Sequence, residues 1–315
     1  MKLDSVRALK KEISDEVVKA QGDHIDVVSF FASTEPPMPS GVALGVSVRE
    51  DGEHVLAVRS THHEAAEAIA ARARGEADVR IVKVYKRSTP AYYQAVRRPL
   101  EPGAQVAMAD RNFVGTLGCF VRDAAGVLYA LSNSHVLADE GRAAVGHRIG
   151  QPFPQSPIGT LARWVPFSTV SPNLVDAAIM RLNATTALLG FTNAIPGPIV
   201  GTRDVGPEML GVEVRKAGRT TGARVGKITS VEIDGLPVAY GDPLGVVRFN
   251  DQVEVSGGPA TDFSAPGDSG SLIVTSDGYA VALLFAGGKD ELGEDRTYAN
   301  PILAALSALG VEIAL

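Results

Sequence analysis

Cysteine occurs once in the 315 residues, at Cys119, so no intrachain disulfide can form. Small secreted enzymes commonly carry several disulfides, so a lone thiol points to a reducing compartment. No apolar run approaches the ~18 residues of a membrane span. The opening Met1-Lys2-Leu3-Asp4-Ser5-Val6, followed by Lys10-Lys11-Glu12, lacks the apolar core of a secretory leader. The expected location is the cytoplasm. Basic clusters are short (Lys86-Arg87, Arg97-Arg98) and the formal charge is −6, which argues against nucleic-acid partners. Gly41-Val42-Ala43-Leu44-Gly45 fits neither the dinucleotide fingerprint nor the phosphate loop. His62 and His63 are adjacent and do not share a helical face, and His24 and His54 have no partner pattern. No cofactor and no metal are expected.

What the chain does have is apolar content for sizeable cores, at 45% hydrophobic, with 33 glycines and 19 prolines scattered through it. That suits many short strands joined by turns, in two or three packed units. Residues 5–20 read as an amphipathic helix through Val6, Leu9, Ile13 and Val17. A loop at 35–39 precedes strands over 41–49 and 54–60, a helix over 63–74 and a strand over 79–84. Together residues 1–88 form an α+β module. Residues 89–110, punctuated by Pro90, Pro99 and Pro102, read as a surface linker. From Val114 the pattern is β, with strands expected over 114–121, 127–132, 146–149, 159–164, 176–182, 212–216, 226–233, 246–255, 271–275 and 279–285. Residues 186–206 suit a crossing between two β-units, and Pro301 opens a helix running to about Leu309.

The turn Pro266-Gly267-Asp268-Ser269-Gly270-Ser271 feeds directly into the apolar run Leu272-Ile273-Val274. A serine so placed can attack a carbonyl while neighbouring amides bind the oxyanion. It requires an imidazole base and a carboxylate to orient that base. His135 follows a strand in Leu131-Ser132-Asn133-Ser134-His135, and Asp176 heads the apolar strand Ala177-Ala178-Ile179-Met180. Singly, these are a Gly-Ser turn, a loop histidine and a strand-entry acid. Jointly, each sits at a strand–loop junction in the order His, Asp, Ser. An α/β-hydrolase runs Ser, Asp, His and wants Gly-x-Ser-x-Gly, whereas Gly267–Ser271 lacks the last glycine. The order matches the double β-barrel serine peptidases.

The blocks Ser134–Ala138, Val175–Ile179 and Gly267–Ser271 resemble the three signature segments of chymotrypsin/trypsin-like peptidases. Gly218-Arg219-Thr220-Thr221-Gly222 with Gly226 resembles the bacterial, alpha-lytic branch. Gly115–Val121 with Leu283–Gly287 looks closest to intracellular bacterial trypsin-like peptidases related to the plant Narrow Leaf proteins. The resemblance covers about residues 110–305 and implies a mainly β fold: two six-stranded antiparallel barrels, chymotrypsin-like, in residues 111–315. Barrel one would take about 111–185 and barrel two, with the last helix, 207–315. It implies Ser269 as nucleophile, His135 as base, Asp176 as orienting acid, and the Gly267 and Ser269 amides as oxyanion hole. Asp268 would need a partner to hold this turn, and Arg219 is the candidate. Phe263 matches the floor of the first specificity pocket, and Phe285-Ala286-Gly287 the substrate-pairing wall; with no acid aligned at the floor, a small or apolar P1 residue is favoured over a basic one. The expected partner is a protein or peptide, either an intracellular substrate or the protein's own 88–112 region. Residues 1–88 are open to three readings: a prodomain, a recognition or oligomerisation module, or a completion of the fold. The competing function is a catalytically weak scaffold on a peptidase fold.

Overall fold

The computed structural model describes residues 1–22, 42–60, 63–73, 76–81, 93–109, 113–184, 186, 188, 199–258 and 261–315. The expectations for His24, His62, the loop at 35–39 and residues 82–84 lie outside the described residues, as does most of the 186–206 crossing; Val17 falls within the first helix, Leu3–Gly22. Six strands close the second barrel. In sheet order they are Glu213–Gly218, Leu272–Thr275, Tyr279–Lys289, Asp295–Pro301, Gln252–Ser256 and Gly222–Asp234, the last returning to the first. The first barrel is a half-barrel of eight strands: Glu312–Ile313, Cys119–Arg122, Leu128–Ser132, Ala178–Leu182, Pro157–Trp164, Arg148–Gly150, Gln105–Met108 and Val114–Thr116. One apolar cluster joins the two sheets, with Cys119, Val121, Leu131 and Ile179 against Leu272, Val274 and Leu283. Helix Ile302–Leu309, near the C-terminus, packs Ile302 and Leu306 into the same cluster.

Two sequence readings change here. The residues taken as a linker contribute the strand Gln105–Met108, and Leu100, Ala104, Val106 and Met108 are fully buried. A four-residue strand covered on both faces carries no alternation for sequence reading to detect. The expected strand over 246–255 is two strands, Gly245–Phe249 and Gln252–Ser256, because Asp251 takes a left-handed turn conformation (φ 59°) between them. Gly245–Phe249 instead pairs with Leu236–Gly241 in a separate hairpin.

The N-terminal strands extend the second barrel's sheet. Val42–Val48 pairs with its hairpin partner His54–Ser60 and, on its other edge, antiparallel with Gly222–Asp234. The helix His63–Arg72 carries the chain to Ala77–Ile81, parallel to His54–Ser60. Gly222–Asp234 serves both units because its first residues pair with Glu213–Gly218 and its last with Val42–Val48. Val6 and Ile13 of the first helix, Leu3–Gly22, are fully buried in one cluster with Leu44, Val58, Ile228, Val231 and Val255. Across this junction Arg59 (Nε) donates to Glu254 (Oε2, 2.7 Å) and through Nη2 to Glu254 Oε1 (3.0 Å), Ser230 Oγ (3.0 Å) and Asp78 Oδ2 (2.8 Å). No helix among the described residues is long and apolar enough to cross a membrane.

Candidate active site

His135 stands on the short helix Ser134–Leu137, immediately after the strand Leu128–Ser132. Asp176 lies two residues before the strand Ala178–Leu182 and is wholly buried. The strands pair antiparallel, Ala178 opposite Ser132, and this register brings the two residues together. Nδ1 of His135 makes a short hydrogen bond to Asp176 Oδ2. The backbone N–H of His135 donates to Asp176 Oδ1 (3.2 Å), and Tyr240 Oη donates to Oδ2 (2.8 Å). The aspartate's backbone is fixed as well: its N–H donates to Asn300 Oδ1 (3.0 Å) and its carbonyl accepts from Asn133 Nδ2 (2.7 Å). A carboxylate at Nδ1 sets the tautomer that leaves Nε2 as an acceptor. Nε2 of His135 is buried and makes no hydrogen bond to the described residues.

Ser269 occupies a turn clamped between the barrels. Its carbonyl accepts from Thr116 N–H (2.8 Å), and Gly270 N–H donates to Leu284 O (2.8 Å). Gly270 (φ 95°) sits so close to Thr116 O and Ser132 Oγ that an added Cβ would lie 2.2 Å from each. This seats the turn on the strand that ends three residues before His135. Gly115 fits in the same seam, where a Cβ would lie 2.5 Å from Val136 and 3.0 Å from Ser269 O. Ser269 Oγ donates to Phe285 O (3.4 Å), and no Ser269–His135 hydrogen bond is present. Among the described residues, none accepts from the N–H of Gly267 or Ser269.

Asp268 does not take Arg219 as its ion-pair partner; it takes Lys216. The Lys216 ammonium is 2.6 Å from Asp268 Oδ2, with both side chains at 0% exposure. Thr221 Oγ1 (2.6 Å) and Ala265 N–H (3.0 Å) donate to the same oxygen, and the N–H groups of Thr220 (2.9 Å) and Thr221 (3.2 Å) to Oδ1. Burial works against the carboxylate, but the Lys216 charge and these donors outweigh it and hold Asp268 below its usual range. Arg219 is turned the other way: Nε donates to Gln105 Oε1 (2.8 Å) and Nη1 to Thr220 Oγ1 (3.3 Å). Lys216 was legible in principle. It shares the inward register with Val214 on Glu213–Gly218, where an ammonium requires a buried counter-ion.

Of the expected specificity residues, Phe263 is fully buried, and a Cβ on Gly226 would lie 2.6 Å from its ring. Its N–H donates to Asp295 Oδ2 (3.1 Å), a buried acid from a neighbouring strand. Asp262 faces outward and pairs with Lys289. Phe285 packs on Phe249 (centroids 4.8 Å apart), while Ala286 and Gly287 pair with Tyr298 and Thr297. Tyr240 was not singled out from sequence, although Leu236, Val238 and Tyr240 alternate ahead of the turn Gly241-Asp242-Pro243.

A solved glutamic-acid-specific serine protease superposes with a TM-score of 0.50 at 20% identity, covering 68% of this chain and 100% of that one. The fold is chymotrypsin-like. Nocardiopsis protease is similar at 19% identity (TM-score 0.49, covering 68% of this chain and 98% of that one). An alpha-lytic protease homologue is similar at 23% identity (TM-score 0.47, covering 68% and 99%). No family model matches the sequence, and no curated protein does.

Proposed function

We propose that the protein is a serine endopeptidase in which Ser269 is the nucleophile, His135 its base and Asp176 the acid that orients the base. The observation that carries this reading is the buried His135–Asp176 pair, set across a seam from the serine turn, with Nε2 and the two turn amides all without a partner among the described residues. In the reaction Ser269 Oγ turns from Phe285 O to Nε2, gives up its proton there and bonds to the substrate carbonyl carbon. The carbonyl electrons move onto oxygen, which the Gly267 and Ser269 N–H groups stabilise. Collapse breaks the C–N bond as Nε2 returns the proton to the leaving amine. Water then gives a proton to Nε2 and bonds to the acyl carbon, and as the bond to Ser269 Oγ breaks Nε2 returns the proton to that oxygen. The Asp176 carboxylate balances the imidazolium. The Phe285–Gly287 edge suits an extended polypeptide paired as an extra strand.

The Lys216–Asp268 pair supplies the charge that holds the turn, so the site forms without a newly cut amino terminus. The single cysteine supports an intracellular protein as substrate, in keeping with the resemblance to intracellular bacterial peptidases. Residues 1–81 act as a permanent part of the enzyme, a reading supported by their strand pairing and by the buried Arg59–Glu254 pair. A cut in the 88–112 region would leave them attached. One observation favours the scaffold alternative: Ser269 and His135 are 3% and 4% exposed and not bonded to each other. A fluorophosphonate probe decides between the two. Labelling of the wild type but not of Ser269→Ala is expected; a folded, unlabelled wild type would favour the scaffold.

A further inference from the structure

Beyond the triad, one element contacts His135 and Asp176 and reaches Ser269 through Phe285. The hairpin Leu236–Gly241/Gly245–Phe249 is tied to the histidine side by Arg142, which follows the His135 helix. Arg142 donates to the hairpin-tip carbonyl of Asp242 (3.0 Å) while its other nitrogen holds Glu140 Oε2 (2.8 Å) and Asp139 Oδ1 (3.0 Å). The hairpin is tied to the aspartate side by Asn173, three residues before Asp176. Asn173 N–H donates to Arg248 O (2.8 Å), and Asn250 N–H donates back to Asn173 O (2.8 Å). On the serine side, Phe249 packs against Phe285, whose carbonyl accepts from Ser269 Oγ. From the middle of this brace Tyr240 reaches Asp176, its ring 4.8 Å from Phe167 and 6.0 Å edge-on from His135.

We infer that Tyr240 is a positioning residue for the proposed reaction, its phenol O–H holding Asp176 Oδ2 in line with Nδ1 of His135. The inference rests on the triad reading, because it concerns how that histidine is aimed. Asp176 Oδ2 receives two donors, His135 Nδ1 and Tyr240 Oη, and Oδ1 receives the His135 N–H. Without the phenol, the donors left to the carboxylate oxygens, among the described residues, both belong to His135, so no group outside the pair would set its rotation about the Cβ–Cγ bond. The imidazole would lose its fixed direction, while Ser269 and the oxyanion amides stayed in place. Burial, then the Asp176 charge and hydrogen bond, push the phenol well above its ordinary value, with Glu140 acting in the same sense, so Tyr240 remains a donor through neutral pH. The aromatic packing orders the ring before substrate arrives.

The experiment is Tyr240→Phe in the full chain, which keeps the ring and its packing. Loss of a hydrogen bond to a charged group predicts kcat on a peptide substrate about 10- to 100-fold lower, with KM unchanged. The proton NMR resonance of His135 Nδ1–H should move, since its acceptor has lost a competing donor. Tyr129→Phe removes a hydroxyl bonded to Asp123 (3.0 Å) far from the site and should change neither readout. An unmoved Nδ1–H resonance together with unchanged kcat would overturn the inference. The resonance reports on Tyr240 even if the protein proves not to cleave peptides, so failure of the inference and failure of the peptidase reading are distinguishable.

Discussion

Lys216→Met tests what holds the serine turn. Methionine keeps the length of the side chain and removes the charge, leaving Asp268 wholly buried with its four remaining donors, Thr220 N–H, Thr221 N–H, Thr221 Oγ1 and Ala265 N–H. Breaking a buried pair from one side costs about 3–5 kcal/mol. Because those donors remain, the lower end applies, and at roughly 2–4 °C per kcal/mol for a domain of this size the melting temperature falls by roughly 6–12 °C. The local effect is larger than the global one. Asp268 anchors the backbone between Gly267 and Ser269, so the two amides proposed as oxyanion donors lose their fixed aim, and the fluorophosphonate labelling rate should drop by about 10²–10³. The pair also sets an acid limit. A carboxyl held below its unfolded value stabilises the fold above that value, about 3.9, and loses the contribution as pH falls through the folded one. In Lys216→Met this acid-labile part shrinks. The double variant Lys216→Met/Asp268→Asn removes both charges and should recover part of the melting temperature, since an uncompensated charge costs more than a missing pair. A single variant that labels at the wild-type rate and melts within about 2 °C of it would refute the reasoning.

Two further outcomes follow from the same kind of accounting. Burial opposes the Glu254 carboxylate, but the Arg59 charge and hydrogen bonds outweigh it and lower the group from 4.5 to about 2. Its stabilisation is therefore complete above pH 4.5 and lost as pH falls toward 2; Arg59→Met should cost about 3–5 kcal/mol at neutral pH and move acid unfolding to higher pH, read by circular dichroism against pH. Gly270→Ala would place a Cβ 2.2 Å from Thr116 O and Ser132 Oγ at φ 95°, so urea unfolding should show a loss of at least ~2 kcal/mol, and a neutral effect would mean that the seam between the barrels is looser than described.

The architecture was legible where periodicity runs long enough to see. Most strands after Val114, the last helix and the first-helix stripe of Val6, Leu9 and Ile13 were readable, because each commits several residues to one face. The His135–Asp176 contact was legible for another reason: both residues end on loop edges of strands that turn out to be neighbours. What escaped was whatever depends on a partner far away in sequence. Nothing near Asp268 distinguishes Lys216 from Arg219 as its counter-ion, and only the inward register of Glu213–Gly218 against Leu272–Thr275 selects the lysine. The 236–249 hairpin was hidden by Asp251, whose left-handed turn splits an apolar run that otherwise reads as one strand. Pairing of Val42–Val48 with Gly222–Asp234 escaped because the sequence of a strand does not tell which sheet it joins.

That last pairing bears on the fate of the first 88 residues. The strand Gly222–Asp234 begins beside Thr220 and Thr221, whose N–H groups hold Asp268, and ends against Val42–Val48. Removing the N-terminal strands would bare the edge from Ser230 to Asp234 and strand Glu254 as a buried carboxylate without Arg59. Glu254 would keep the hydroxyl donors Thr229 Oγ1 (2.8 Å) and Tyr298 Oη (3.1 Å), but a carboxylate that loses its ion-pair partner takes up a proton or draws in water. In either case the half of the strand that remains paired would carry the disturbance toward the turn that positions Ser269. Release of the segment and retention of an ordered serine turn are therefore opposed in this fold, which favours the proposal that the N-terminal strands stay with the enzyme.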